Sequence, residues 1–199
     1  VRPELLEPYI SRPITDDVMY FVMPDRFNNG DPSNDTGGFG GDATTHGFDP
    51  THKGFFHGGD FKGLTEKLDY LADMGVSAIW MTPIFKNKPV QGNPVNMTAA
   101  YHGYWITDFT QIDPHLGTND DLKTLVDEAH KRNMKVIFDI ITNHTADVIK
   151  YEECFPRGSD PANVPLCDYR SKEAFPYTTK GGPDGEAINA GFLGDDPEL

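Results

Sequence analysis

Asp139, Asn143 and His144 stand together just past an apolar run, Met134-Lys135-Val136-Ile137-Phe138, that reads as a buried β-strand. A carboxylate, an amide and an imidazole at a strand end can bond hydroxyls, orient a neighbouring side chain or ligate a cation. Earlier in the chain stands Tyr101-His102-Gly103-Tyr104-Trp105, an aromatic cluster too polar for a core strand. Flat rings beside an imidazole give an apolar platform with a polar rim, the pairing that a sugar ring requires. Each block has a plainer alternative: packing at a domain rim for the pentapeptide, a satisfied core histidine for His144.

A third group is Asp25-Arg26-Phe27-Asn28-Asn29-Gly30-Asp31-Pro32-Ser33-Asn34-Asp35, with Gly58-Gly59-Asp60 further on. Dense side-chain oxygens on a chain turned by Gly and Pro suit a hard cation, and Ca²⁺ takes about six to eight oxygens in irregular loops. No Glu closes a twelve-residue loop here, so an EF-hand is excluded. A solvated loop of Asx-turns is the competing reading. His46, His52 and His57 show no ordered ligand spacing, and an acidic, Gly-rich surface loop accounts for them without a transition metal. Gly37-Gly38-Phe39-Gly40-Gly41 lacks the strand-to-helix context of a phosphate-binding loop. For Cys154 and Cys167, in a Pro-rich loop, a disulfide is the favoured reading and two free thiols the alternative.

Three apolar strands must position these groups. Val18–Met23 is stopped by Pro24, Val76–Met81 is closed by Pro83, and the run before Asp139 is the third. Between the first two, Leu64, Leu68, Leu71 and Met74 recur at helical spacing, and Gly75 follows at the expected C′ position. Leu122, Leu125, Val126 and Ala129 give a second amphipathic helix over 118–133, with Thr118 as N-cap and an acidic first turn. Residues 25–63 show no period, residues 107–112 form a short extended piece in a long loop, and 145–199 reads as irregular. The order β-loop-α-β-loop-α-β builds right-handed parallel units, whose ligands bind beyond the carboxyl ends of the strands. Periodicity does not choose between a doubly wound sheet and a barrel.

The 199 residues carry Lys+Arg 17 against Asp+Glu 31, a net charge of −14. Such a surface repels phosphate backbones and anionic membranes and tolerates cations, so no nucleic-acid or membrane partner is expected. No stretch approaches the ~20 apolar residues of a membrane span. Val1-Arg2-Pro3-Glu4 has no apolar core, so no signal peptide is read there; a mature secreted start and a cytosolic protein would both look like this.

The pentapeptide 101–105 and the block Asp139-x-x-x-Asn143-His144, in this order, resemble two sequence blocks of the α-amylase family of glycoside hydrolases. The resemblance runs from Thr15 to about Lys150 and implies an α/β fold: the N-terminal portion of a (β/α)₈ TIM barrel, its first three strands, over 1–143. Part of an irregular domain B follows over 144–199. It implies Tyr104 as the platform under the sugar at the cleavage subsite, Trp105 lying against it, and His102 and His144 lining the same subsite. Asp139 is implied to be structural, bonding neighbouring strand ends. The loop 25–60 resembles the N-terminal calcium site of cyclodextrin glycosyltransferases and related amylases. Carried over position by position, Asn29, Asp31, Asn34, Asp35, the Gly58 carbonyl and Asp60 would hold Ca²⁺. The family often has Asp at position 29 and Asn at positions 31 and 35, so formal charge is redistributed here. Asn143 would ligate a calcium that ties the barrel to domain B. No Gly-Phe/Ile-Arg-x-Asp nucleophile block occurs in the sequence, so no catalytic carboxylate is assigned. The chain looks like the N-terminal part of a secreted, α-glucan-active retaining hydrolase or transglycosylase, with the remainder of its own catalytic domain as a partner. A non-catalytic α-glucan-binding or transport-associated relative is the alternative.

Overall fold

The structure, a computed structural model, describes residues 8–92 and 96–146. Three strands, β1 (Met19–Val22), β2 (Ala78–Met81) and a later one (Lys135–Phe138), form a parallel sheet with β2 in the middle. Tyr20 aligns with Ile79 and Ile79 with Val136. All three lie where the apolar runs predict.

The helices between them cover one face. Leu64, Leu68, Leu71, Leu125 and Ala129 are fully buried against Val22, Ile79 and Met81. Each buried leucine contributes about 2 kcal/mol of hydrophobic free energy. Met19, Phe21 and Trp80 point to the opposite face and are exposed, Phe21 by 51% with its ring edge-on to Trp80 at 5.1 Å. In a (β/α)₈ barrel the helices form the outer ring and the opposite side chains fill the interior. An apolar but uncovered second face is what three strands of such a barrel present.

The helix expected over Leu64–Met74 is two helices, one over Phe61–Glu66 and one over Leu68–Asp73, broken at Lys67, where φ is −101° and ψ 6°. The first begins earlier than the apolar period because Asp60, buried, accepts the Gly63 N–H at 2.6 Å as its N-cap. The break does not rotate the apolar stripe, except that Met74, expected on it, is 50% exposed at the C-cap. Gly75 follows with φ +84°, as expected. The second predicted helix spans Asn119–Lys131, and Thr118 and Asp121 cap each other reciprocally.

The stretch read as a loop holds short antiparallel pieces. Phe85–Asn87 pairs with Ile106–Ile112 through an irregular register, and Val90–Gln91 pairs with Thr98–Ala99. Within 25–63 a single helical turn, Ala43–His46, is capped by Asp42 and ended by Gly47 at φ +77°. Buried His115 anchors this loop: its ring stacks on Phe56 at 3.9 Å and donates from Nε2 to the His46 carbonyl at 2.8 Å. At the amino ends of the strands, Arg12 reaches Asp17 (2.6 Å) and the carbonyls of Ser77 and Asn133. Asp17 also accepts from Lys135 and Ser77, so one buried carboxylate ties the start of the chain to all three strands. Cys154, Cys167 and the expected domain B from residue 147 onward lie outside the described residues.

Candidate functional site

The carboxyl end of β2 leads into Pro83, and the turn 101–105 folds onto it. Gly103 makes this approach possible: its φ is +84°, and a Cβ there would stand 1.9 Å from the Pro83 carbonyl oxygen. Any side chain would push the aromatic turn away from the sheet. Asp139 continues the neighbouring strand by donating its N–H to the Met81 carbonyl at 3.1 Å, and its Oδ2 accepts the Tyr104 hydroxyl at 2.6 Å. His144 Nε2 lies 3.3 Å from the Tyr104 carbonyl, and Asn143 Nδ2 lies 3.5 Å from His144 Nδ1. The two chemistry-bearing blocks therefore meet at the strand ends, with Tyr104 at their junction. The bond to Asp139 and burial together push the Tyr104 phenol up to about 12.

His102 contacts Trp105 edge-on at 4.7 Å and lies 5.7 Å from the Tyr104 ring. Trp105 is held through its backbone: its N–H donates to Asn87 Oδ1 at 2.6 Å, and its carbonyl accepts from Lys88. His102 Nδ1 accepts the Tyr104 N–H at 3.0 Å. Burial, and secondarily the charge of Arg26, hold His102 below the ordinary histidine value. Arg26 lies 3.9 Å over the Tyr101 ring, a contact that sequence reasoning missed because Arg26 sits among the acidic residues of the loop 25–35.

In that loop, Asp60 is the centre. Fully buried, it accepts N–H groups from Gly30, Asp31 and Gly63 and the Asn34 amide. Asn29 Nδ2 donates to Asp35 Oδ1 at 2.7 Å. A Cβ on Gly58 would lie 2.5 Å from both these atoms, so the Gly58 backbone closes on the same spot. Asp31 stands at the rim, bonded to Ser33 and 3.6 Å from Lys62. Six of the seven residues predicted to hold Ca²⁺ thus share one loop system. Two observations fit a hard cation there. Asn34 Oδ1 is buried with no hydrogen-bond partner. Burial, reinforced by the nearby Asp60 and Asp31 charges, raises Asp35 above the usual carboxylate range despite the Asn29 amide. Among the described residues no three His, Cys, Asp or Glu side chains form a ready metal cluster, so amide and carbonyl oxygens would have to complete the set. Asn143 stands apart at the other strand end, and the segment expected to share its cation lies outside the described residues. His46 and His52 accept local backbone N–H groups at Nδ1, and the His57 ring contacts the His52 carbonyl.

Residues 21–175 match the sequence profile of the α-amylase catalytic domain. An α-amylase from Streptomyces lividans is 60% identical over 142 residues, which is 71% of this chain and 14% of that protein. A cyclomaltodextrin glucanotransferase from Bacillus sp. (strain 1011) is 35% identical over 183 residues, 88% of this chain and 25% of that protein. Among solved structures, a cyclomaltodextrin glucanotransferase with a three-domain ABC distribution superposes with a TM-score of 0.58 at 44% identity, over 65% of this chain and 26% of that one. An Anoxybacillus α-amylase superposes with 0.53 at 50% identity, over 66% of this chain and 25% of that one. The chain thus spans between 14% and 26% of each of these proteins.

Proposed function

The chain belongs to the α-amylase family, and from that premise we propose that the protein acts on α-glucan as a retaining hydrolase or transglycosylase. The residues around Tyr104 would form part of its cleavage subsite. The observation that carries this reading is the junction itself: Tyr104 bonded to Asp139 at 2.6 Å and to His144 through its carbonyl. Two blocks distant in sequence are assembled where ligands of parallel α/β folds bind. Tyr104 offers the platform, held at its hydroxyl so that the ring face stays in one place. His102 offers an N–H group at the rim, and His144 would offer its own where Nε2 exchanges the Tyr104 carbonyl for a sugar hydroxyl. Hydrogen bonds from such groups to sugar hydroxyls strengthen as an oxocarbenium-like transition state forms. The nucleophile and acid/base carboxylates are assigned to other parts of the full-length protein, since the 199 residues contain no nucleophile block.

Ca²⁺ belongs to the same reading. Asn29, Asp31, Asn34, Asp35, the Gly58 carbonyl and Asp60 would hold one ion and pin the loop beside the aromatic turn, and Asn143 would contribute to a second. A bound ion would neutralise like charges there and give the orphaned Asn34 oxygen a partner. Barrel residues over 1–143, a domain B over 144–199 and secretion complete the proposal, in keeping with α-glucan as an extracellular polymer.

The test is steady-state kinetics of the full-length protein on maltodextrin, with Tyr104→Ala and His144→Ala. Losing the stacking platform should forfeit about 1–3 kcal/mol, by analogy with base–aromatic stacking, and so about ten- to a hundredfold in kcat/KM. Wild-type kcat/KM in both variants would reduce these residues to rim packing. Absence of any turnover by the wild type, with maltodextrin still bound, would favour the non-catalytic relative.

A further inference from the structure

We propose that Arg26 is a positioning residue for the aromatic turn, holding Tyr101 against His102, whose Nδ1 accepts the Tyr104 N–H and so leaves the neutral ring's proton on Nε2. The guanidinium is engaged on three sides. Nη2 donates to the Phe55 carbonyl at 2.8 Å and the Lys53 carbonyl at 3.1 Å. Nε lies 2.8 Å from Asp25 Oδ2 as an ion pair. The flat face covers Tyr101 at 3.9 Å. A group so fixed is a stationary positive charge rather than a mobile surface arginine. Asp25 is itself fixed, accepting the N–H groups of His57 and Gly58 at 2.8 and 3.1 Å.

From Arg26 the contact passes through one ring to His102: Tyr101 meets the imidazole edge-on at 5.2 Å, with an interplanar angle of 69°. His102 Nδ1 accepts the Tyr104 N–H at 3.0 Å, so its lone pair is in use and the neutral ring must carry its proton on Nε2. An imidazolium would set two N–H groups against each other. Burial and the Arg26 charge both disfavour that cation. The titratable and charged groups around the ring are Arg26, with Asp25 behind it, and Tyr101 and Tyr104 on its own turn, with Asp139 bonded to Tyr104. Fixing the tautomer fixes what the turn offers a ligand: one N–H donor at Nε2, on a ring that burial, and secondarily the charge behind it, keep neutral.

The inference rests on the α-glucan reading for its kinetic readout alone. ¹⁵N-histidine NMR of the full-length protein reads it directly, with the His102 signals assigned by their loss in His102→Gln. Expected in the wild type is an unprotonated Nδ1 and a protonated Nε2 that persists as pH falls past the ordinary histidine value. In Arg26→Gln the titration of His102 should shift upward. The ratio of its kcat/KM to the wild-type value should then fall progressively with falling pH. Arg26→Lys keeps the charge and loses the planar stack, and should restore the pH profile while leaving KM raised. A wild-type His102 protonated on Nδ1 overturns the proposal without any variant, even if Arg26→Gln fails to fold. An unchanged His102 titration in folded Arg26→Gln overturns it too. If maltodextrin proves not to be a substrate, the tautomer and its titration still decide.

Discussion

The bond between Tyr104 and Asp139 makes a quantitative test of how the strand ends are joined. Its 2.6 Å length and ionised acceptor place it among charge-assisted hydrogen bonds, which contribute about 1.5–3 kcal/mol. The phenol gives a second route. Raised from 10.0 to about 12, it would represent about 3 kcal/mol at about 1.4 kcal/mol per unit. The ring is only partly buried, and solvent screening reduces that to about 1 kcal/mol. The sign is fixed by linkage: a raised phenol value means that its stabilisation is complete below pH 10.0 and is lost as pH rises through about 12. A double-mutant cycle with Tyr104→Phe, Asp139→Ala and their combination, followed by urea unfolding at neutral pH, should show a coupling of about 1–2 kcal/mol. Phenolate absorbance should show one tyrosine titrating late in the wild type and at an ordinary value in Asp139→Ala. Additivity of the two substitutions within about 0.5 kcal/mol, with an unshifted alkaline titration, would refute the reasoning. The two blocks would then be neighbours without being coupled.

Gly103→Ala should lower both stability and kcat/KM, because φ +84° and a Cβ only 1.9 Å from the Pro83 oxygen force the turn off the sheet. The expected cost is about 2–3 kcal/mol, read as a lowered Tm, and a wild-type melting curve would contradict the close approach. Arg12→Ala removes one of the two cations bonded to the buried Asp17 carboxylate, Lys135 remaining, and should cost about 1.5–3 kcal/mol in urea unfolding. Burial alone would raise Asp17, but the bonds from Lys135, Ser77 and Arg12 outweigh it and hold it below 3.8. Its contribution is therefore present above pH 3.8 and lost as pH falls through the lower folded value, a loss that should be absent in Asp17→Asn. Parallel stability-versus-pH curves for the two proteins would rule this out.

The sequence by itself determined the strands and the faces of the helices. Val18–Met23 is apolar throughout, Val76–Met81 and Met134–Phe138 are apolar but for Ser77 and Lys135, and Leu64, Leu68, Leu71 and Leu125 recur at helical spacing. Burial of apolar surface is the largest favourable term in folding and needs no partner identity to be read. The family was legible too, because Tyr101–Trp105 and Asp139–His144 are short contiguous strings. What only the tertiary structure decided concerns partners far apart in the chain. The helix starts early because Asp60, which accepts the N–H groups of Gly30 and Asp31, also supplies a cap that no local period announces. Tyr104 meets Asp139 across the strand ends, and His102 lies between Tyr104 and Trp105 in ring contact with both. Arg26, among loop acids in sequence, lies over Tyr101 of the aromatic turn, a contact between segments far apart in the chain. Hydrogen bonds and ring contacts depend on distances of a few tenths of an ångström between distant segments, whereas hydrophobic patterning is written locally along the chain.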